Sequence, residues 1–309
     1  MNPLHTLGYK FLSNTAAEES ANPELSKLSR RGFMVLAASL SSCSAAAVDS
    51  PSPSPSASAA AEPVKTPKST YRTPPVQGPV PRNPDQNLTS NFSKSSGISF
   101  SRVLVSGNYV AMTFDDGPHP KNTPRLLDIL RARNIKATFF VIGRSVELYP
   151  QVVRRTVAEG HEIGNHTHTH RLLTKLSDAE VRQEFSRCRD AVGKASGIQP
   201  RVMRPPYGGL LQRQRELAHN EFGYPTILWS VDPLDWKNRV PSLITSRILS
   251  GTTAGGIVLS HDLHSTTVDA MPATLDGLLN RGFRFVTVSQ LLAMKTETTA
   301  QTTVPTPAS

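Results

Sequence analysis

The 309-residue chain could hold one large domain or two small ones, and its formal net charge is +10. A basic surface favours anionic partners, but no nucleic-acid recognition motif accompanies the charge, so we expect no nucleic-acid partner. The chain has only two cysteines, which argues against a disulfide framework, and we expect Cys188 to be a small buried residue of a helix.

Residues 1–43 have the pattern of an export signal. Arg30 and Arg31 precede a weakly apolar stretch, 33–40, that is too short to span a bilayer but suits a signal peptide. "SRRGFM" resembles the twin-arginine export motif, and "LSSC" resembles a bacterial lipobox, in which the cysteine (here Cys43) is lipidated. The alternative is an uncleaved basic N-terminus with a chance cysteine. We expect a lipoprotein on the extracytoplasmic face of a bacterial membrane, or otherwise a secreted protein.

Two segments have a composition unsuited to a folded core. Residues 44–100 are dominated by Ser, Pro and Ala, and the tail 295–309 is similar ("TTAQTTVPTPAS"). Such segments bury too little apolar surface to fold, so we predict a disordered tether before the domain and a disordered tail after it. The remaining residues, 101–294, have a suitable length for one catalytic domain.

Within 101–294, apolar strand-like runs alternate with amphipathic helix-like stretches. The predicted strands are 109–114, 137–143, 161–165, 202–206, 226–231, 256–261 and 283–288. The predicted helices are 123–133, 146–159, 178–195, 212–221, 241–249 and 268–280. Ser177 and Glu180 have the spacing of a capping box at the start of one helix. This alternation predicts an α/β fold of parallel β/α units, either a barrel or an open doubly wound sheet.

The unusual polar clusters of the domain fall where predicted strands end. These clusters are "DDG", "NHTHTH", "RPPYG", "DPLDW" and "HDLH". In parallel β/α folds, functional groups gather at the carboxyl ends of the strands. The sequence therefore predicts that these clusters form one site.

The "HTHTH" cluster is a candidate source of metal ligands. His166 and His170 are four residues apart, a spacing that lets two imidazoles converge on one ion. Taken alone, the pattern also fits a solvated loop. Together with Asp116, the two imidazoles form a common catalytic zinc shell with one open position. We expect His168 to point away or to reach substrate.

The adjacent carboxylates of "DDG" repel each other, so their position side by side needs an explanation. If Asp116 ligates a cation, the cation removes the repulsion and Asp115 stays free as a base. We expect Gly117 to provide the sharp turn after the pair. A solvated turn is the alternative interpretation.

The motifs "TFDDGP", "HTHTH", "RPPYG", "DPLDW" and "LSHD" occur in this order along the domain. This series is similar to the five motifs of the polysaccharide deacetylase family, also called the NodB-homology domain or carbohydrate esterase family 4. The resemblance covers about 190 residues. It implies a distorted (β/α)7–8 barrel of the NodB-homology type and one divalent metal ion, Zn²⁺ first, with Co²⁺ or Mn²⁺ as alternatives.

The resemblance also implies a role for each matching residue. The metal ligands would be Asp116, His166 and His170, and the general base would be Asp115. In the same way, Arg204 would hold Asp115, and the Tyr207 backbone N–H would bind the oxyanion. Asp235 would tether the general acid His261. Trp236 and Leu259 would form the walls of the acetyl pocket. An ordinary surface arginine at 204 and a core tryptophan at 236 are the alternatives, and neither Asp232 nor Asp262 has an assigned role.

The implied activity is removal of acetyl groups from N-acetylglucosamine-containing extracellular polysaccharide, such as peptidoglycan, chitin oligomers or exopolysaccharide. The alternatives are an O-deacetylase of acetylxylan and a non-catalytic glycan-binding module. Intact Asp115 and His261 argue against the binding module, because binding needs neither a base nor an acid. We expect a monomer whose partners are the polysaccharide and, through Cys43, a membrane.

Overall fold

The computed structural model describes residues 74–78 and 98–296. Cys43, the predicted signal sequence, most of the predicted tether and the tail beyond Thr296 lie outside the described residues. None of the helices in the described part of the chain has the length and apolar character needed to cross a membrane.

The strands form a ring of parallel pairings. They are β1 (Ser99–Phe100), β2 (Tyr109–Asp115), β3 (Thr138–Val141), β4 (Glu162–Asn165), β5 (Thr226–Ile227), β6 (Ile257–Val258) and β7 (Arg284–Phe285). The order β4-β3-β2-β6 forms one side, β7 pairs with the start of β2, and β1 pairs with β5. Met203 bridges Asn165 to Thr226, and Val231 bridges to Val258, so the ring closes. This closure confirms the predicted distorted barrel.

The helices cover the outside of this barrel. They are α1 (Asn122–Arg131), α2 (Gly143–Leu148), α3 (Pro150–Ala158), α4 (Asp178–Ser196), α5 (Gln212–Phe222), α6 (Pro241–Gly251), α7 (Ser265–Asn280) and α8 (Val288–Ala293). The predicted helix 146–159 is two helices, because Tyr149 leaves the helical conformation and Pro150 starts a new helix. The capping box of Ser177 and Glu180 is confirmed at the start of α4, in which Cys188 is buried.

Alternate residues of β2 face two different layers. Val110, Met112 and Phe114 belong to the apolar cluster between strands and helices. Ala111 belongs to the cluster inside the barrel. Because side chains alternate along a strand, Thr113 and Asp115 share the inward face with Ala111. The inside of the barrel is therefore apolar near the start of β2 and polar near its end.

A short piece of the predicted tether is attached to the other end of the barrel. The Gln77 side chain pairs with β7 like a strand neighbour: its Nε2 donates to Phe285 O (2.9 Å), and its Oε1 accepts from Phe285 N. The Gln77 N–H donates to Arg133 O (2.9 Å), and Asn134 Nδ2 donates to Gln77 O (3.1 Å). Since Phe285 pairs with Val110 at the start of β2, this contact lies at the amino-terminal end of the strands.

Candidate active site

The polar clusters meet at the carboxyl ends of the strands, as predicted. Asp115 ends β2, and His166 directly follows β4. Arg204 follows the bridging residue Met203, and Asp115 forms a parallel bridge with His261. The parallel ring thus brings residues 146 positions apart in sequence, Asp115 and His261, to adjacent places on one rim.

Strained backbone is concentrated on this rim. Six non-glycine residues in the described ranges have positive φ, and five of them belong to the polar clusters: Asp116 (72°), Thr167 (67°), His170 (58°), Tyr207 (59°) and Leu234 (55°). A non-glycine residue in the left-handed region costs about 1–3 kcal/mol and persists where the surroundings fix it. Such clustering is typical of functional sites.

The turn after the paired carboxylates differs from the expectation. The left-handed conformation is adopted by Asp116, whereas Gly117 is not among the glycines with positive φ. Gly117 is needed for space, because a Cβ at this position would lie 2.6 Å from Asp262 Oδ1. The positive φ of Asp116 turns its side chain away from that of Asp115, so the two carboxylates can take different partners.

Asp116, His166 and His170 form a group that could hold one metal ion. Their candidate ligand atoms all lie within 4.8 Å of one another. Asp116 Oδ1 lies 3.1 Å from His170 Nε2 and 3.4 Å from His166 Nε2. His166 Nδ1 donates to Arg204 O (2.7 Å), so in the neutral imidazole the lone pair is on Nε2, which faces Asp116.

The chemistry of these three side chains fits a divalent cation. Asp116 Oδ1 is buried and has no hydrogen-bond partner within the described residues. Burial would raise the pKa of Asp116, but His166 and His170 hold it well below its usual range. A buried anionic oxygen between two imidazole nitrogens is a donor set that Zn²⁺ prefers, with room for a further ligand.

The third histidine of "HTHTH" does not join this group. The His168 side chain is 1% exposed and packs against Gly143 of α2. Its Nε2 lies 3.9 Å from Glu147 Oε2. Of the two expectations for His168, the structure therefore shows the one in which it points away.

Asp115 is held by a fully buried arginine. Arg204 is 0% exposed, and its Nη1 donates to Asp115 Oδ1 (2.7 Å). The guanidinium also donates to the carbonyl oxygens of Ile227 (3.2 Å) and Leu228 (3.0 Å) and lies 4.2 Å from the Phe140 ring centroid. Arg204 is therefore not the surface arginine of the alternative interpretation. Because it has so many fixed partners, it presents Asp115 in one orientation.

Across the rim, His261 is held by a buried carboxylate. Asp235 is 0% exposed; its Oδ1 accepts from His261 Nδ1 (2.8 Å), and its Oδ2 accepts from His261 N (2.8 Å). Burial lowers the pKa of His261, but Asp235 outweighs it and raises the pKa to about 9. The Nε2 edge of a protonated imidazole is thus available to donate a proton.

The remaining predicted residues lie around the opening. The Tyr207 side chain is 71% exposed, and its ring meets that of His170 edge to face with centroids 4.9 Å apart. Trp236 is 50% exposed, which excludes the core-packing alternative, and Leu259 is buried. Leu259 N donates to Val231 O (2.9 Å), so it lies beside the segment that carries Trp236.

The two aspartates without an assigned role occupy different environments. Asp262 is fully buried beneath Gly117; Thr123 donates to one of its oxygens, and burial raises its pKa to about 7. Asp232 Oδ1 accepts from Leu234 N (2.8 Å) and shapes the loop before Asp235.

Sequence reasoning missed two threonines that support the two pairs. Thr113 Oγ1 accepts from Arg204 Nη1 (2.7 Å), and Thr267 Oγ1 donates to Asp235 Oδ2 (2.8 Å). The alternation of β2 could have revealed Thr113, which is two residues before Asp115. Thr267 lies in the first turn of α7, and no local pattern connects it with Asp235.

Comparisons with known proteins identify the family of the chain. The family profile described as polysaccharide deacetylase matches residues 104–227. The peptidoglycan-N-acetylglucosamine deacetylase PgdA of Listeria monocytogenes is 44% identical over 186 residues, which are 60% of this chain and 39% of that protein. A peptidoglycan-N-acetylglucosamine deacetylase of Bacillus cereus is 37% identical over 231 residues, 71% of this chain and 83% of that protein.

A solved structure is similar as well. The crystal structure of the Bc1960 peptidoglycan N-acetylglucosamine deacetylase has a TM-score of 0.62 and 34% identity, and the match covers 64% of this chain and 94% of that one. The chain thus matches nearly the whole of this structure but only 39% of the length of the Listeria protein.

Proposed function

Because the chain belongs to the polysaccharide deacetylase family, we propose that it is a metal-dependent hydrolase that removes acetyl groups from N-acetylglucosamine-containing extracellular polysaccharide. The observation that carries the proposal is the metal-ligand group of Asp116, His166 and His170 between two separately held proton-transfer groups. Asp115 lies on one side with Arg204, and His261 lies on the other with Asp235. Binding alone would require neither proton-transfer group.

Asp116, His166 and His170 would hold one divalent cation, with Zn²⁺ best suited to their donor atoms. Such a cation, when bound, lowers the pKa of water and polarises an acyl oxygen. Asp115 accepts the proton of the attacking water, and Arg204 keeps the accepting oxygen directed at the site. The metal-ligand function and the base function thus fall to adjacent residues whose side chains diverge at the left-handed Asp116.

The acid side completes the reaction. An amine leaves only when it is protonated, and His261 supplies this proton while Asp235 fixes its tautomer and stabilises its charge. The Tyr207 N–H stabilises the charge that develops on the former carbonyl oxygen. Trp236 and Leu259 wall the space for the acetyl methyl group.

The location and domain division form part of the same proposal. We assign residues 1–43 to an export signal, the segment from 44 to the start of β1 to a tether, the segment from β1 to 294 to the catalytic domain and 295–309 to a tail; the predicted boundary at 100 is too late, because Ser99 and Phe100 pair with β5. Lipidation of Cys43 would hold the enzyme at the extracytoplasmic face of a bacterial membrane, close to wall polymers. Cys43→Ser should move the protein from the membrane fraction to the soluble fraction, and unchanged fractionation would contradict lipidation.

Acetate release tests the chemistry. We expect the purified protein to release acetate from N-acetylglucosamine oligomers, to lose this activity with a chelator, and to recover it when Zn²⁺ is added. Full activity in a metal-free preparation would contradict the metal-dependent mechanism. A parallel assay on acetylxylan distinguishes the O-deacetylase alternative, which would show release only from the ester substrate.

A further inference from the structure

A polar cleft of about 400 Å³ opens at the loop that carries His170. Its walls are α2, α4 and the segment around His170, and its charged lining residues are Arg144, Arg171, Arg187, Glu180 and Glu184. Thr169 and Arg171 both line the cleft, and consecutive Cα atoms are about 3.8 Å apart, so the cleft begins one residue from His170. A polymer whose acetylated sugar occupies the metal-ligand group could therefore place a neighbouring substituent in this cleft.

The two glutamates are committed to internal partners. Glu184 is buried, and its Oε2 accepts from the backbone N–H groups of His168 (2.8 Å) and Thr169 (2.7 Å). The Thr169 hydroxyl donates to the other oxygen. Glu180 accepts from Ser177 N (2.9 Å) in the capping box and from Arg171 Nη2 (3.2 Å). These carboxylates fix the loop and the helix start, and they balance Arg171.

Within the described residues, no carboxylate pairs with Arg144 or Arg187. Neither guanidinium has a carboxylate oxygen within 4.0 Å in the described ranges, whereas Arg182 and Arg189, the other arginines of α4, each have one. Arg144 comes from α2 and Arg187 from α4, two helices that pack against each other. Two exposed guanidinium groups with unbalanced charge thus line one cleft from neighbouring walls.

We infer that this arginine cleft binds a carboxylate that the polysaccharide carries on the sugar next to the one being deacetylated. Guanidinium forks match the geometry of a carboxylate. The volume suits a substituent of a sugar rather than a single ion. In peptidoglycan the group with this chemistry is the lactyl carboxylate of a muramic acid residue whose stem peptide has been removed. The inference rests on the proposed function and narrows it: an acidic peptidoglycan strand is a better substrate than a neutral N-acetylglucosamine polymer.

The test uses two forms of one polymer, namely peptide-free peptidoglycan strands and the same strands with their lactyl carboxylates converted to amides. We expect the metal-loaded enzyme to have a higher kcat/KM for acetate release on the acidic strands. The double variant Arg144→Gln/Arg187→Gln should lower kcat/KM on the acidic strands about 10- to 100-fold, mainly through KM, as expected for lost charge-assisted hydrogen bonds. Its activity on the amidated strands should be unchanged.

A matched control removes the same charge from elsewhere on α4. Arg182→Gln/Arg189→Gln should leave kcat/KM unchanged on both strands, because these arginines pair with Glu221 and Asp190 outside the cleft. An equal loss in the control, or an equal loss on both strands in the cleft variant, would show a general charge effect and overturn the inference.

Other outcomes separate the inference from the proposed function. If the double variant Arg144→Gln/Arg187→Gln has the wild-type kcat/KM on the acidic strands, the inference is overturned while the proposed deacetylase function stands. Absence of acetate release by the wild-type enzyme from the strands and from neutral oligomers would contradict the proposed function itself. Thermal unfolding of each variant shows whether it is folded, and the single variant Arg187→Gln provides a milder version of the same test.

Discussion

Each of the two buried ion pairs of the site joins a carboxylate to a cation, but the member that faces the site differs between the pairs. In Asp115–Arg204 the cation is fully buried and permanently charged, and the carboxylate faces the site. In Asp235–His261 the carboxylate is fully buried, and the titratable cation faces the site with 13% exposure of its side chain. Each pair therefore consists of one fixed partner and one group placed to exchange a proton.

This difference suggests how the rim keeps two proton-transfer groups distinct. Arg204 cannot give up its proton near neutral pH, so the positive charge beside Asp115 is constant. His261 can lose its proton, so the charge state of its pair depends on pH. In the proposed mechanism, the first pair is a rigid support for a base, and the second is an adjustable support for an acid.

The largest expected effect comes from removing the exchanging group of either pair. Asp115→Asn keeps the shape but cannot accept a proton, and His261→Gln cannot donate one as an acid. Each should lower kcat about 100- to 10,000-fold, the usual contribution of a general base or acid. Acetate release gives kcat, and elemental analysis should show unchanged metal content. Equal activity of Asp115→Asn and wild type would remove Asp115 from its assigned role.

The next effect concerns the fixed partners. Arg204→Met leaves Asp115 buried without its cation and should lower the free energy of unfolding by about 3–5 kcal/mol. Asp235→Asn should cost less, because His261 can become neutral. Urea unfolding measures both. Arg213→Met, which breaks the exposed pair with Asp178, is the control and should cost only about 0–1 kcal/mol. Similar losses of unfolding free energy for Arg204→Met and Asp235→Asn would contradict the difference between the two pairs.

The third prediction uses pH. His261 must be protonated to act as an acid, so activity falls as pH rises through its pKa. Burial lowers this pKa, but Asp235, with smaller contributions from the charges of Asp115 and Asp116, raises it from 6.5 to about 9. The raised pKa contributes stability that is complete below 6.5 and is lost as pH rises through about 9. Asp235→Asn should therefore move the alkaline limb of kcat toward lower pH when both proteins carry the same metal. An unmoved limb would show that another group sets it.

The smallest expected effect comes from the two supporting hydroxyls. Thr113→Val and Thr267→Val each remove a hydrogen bond to a charged member of a pair, and Thr113→Val also removes the one donated to Val258 O (2.6 Å). Each substitution should lower the free energy of unfolding by about 1–3 kcal/mol, with the larger loss for Thr113→Val. Only Thr267→Val should also change the pH profile, because only its pair contains a titrating cation. A shift of the profile in Thr113→Val would show that the two pairs are coupled.

Much of the site could be predicted because parallel topology converts sequence order into spatial position. Residues that end strands of a closed parallel ring lie on one rim, so the prediction that "DDG", "HTHTH" and "HDLH" meet required no knowledge of distances. The start of α4 was equally accessible, since the capping box of Ser177 and Glu180 is a local pattern. The roles assigned to the individual residues remain predictions.

The features that were missed depend on tertiary contacts. Strand β1 has only two residues, which is too short to show any periodicity. The break between α2 and α3 was hidden because Pro150 is compatible with a first helical turn and the apolar pattern continues on both sides. We expected the sharp turn at Gly117, because glycine is the least restricted residue, but the residue with positive φ is Asp116. The space occupied by Asp262 explains the glycine, and it cannot be read from neighbouring residues.

The contact of Gln77 with the barrel fixes the end of the domain at which this part of the chain is attached. The six residues from Val110 to Asp115 span about 17 Å at the rise of a parallel strand, so Gln77 and the rim lie at opposite ends of the barrel. A tether lipidated at Cys43, as proposed above, would have Gln77 as an attachment to the domain, through its hydrogen bonds with Phe285 and Arg133. The catalytic rim would then lie at the end of the barrel opposite this attachment.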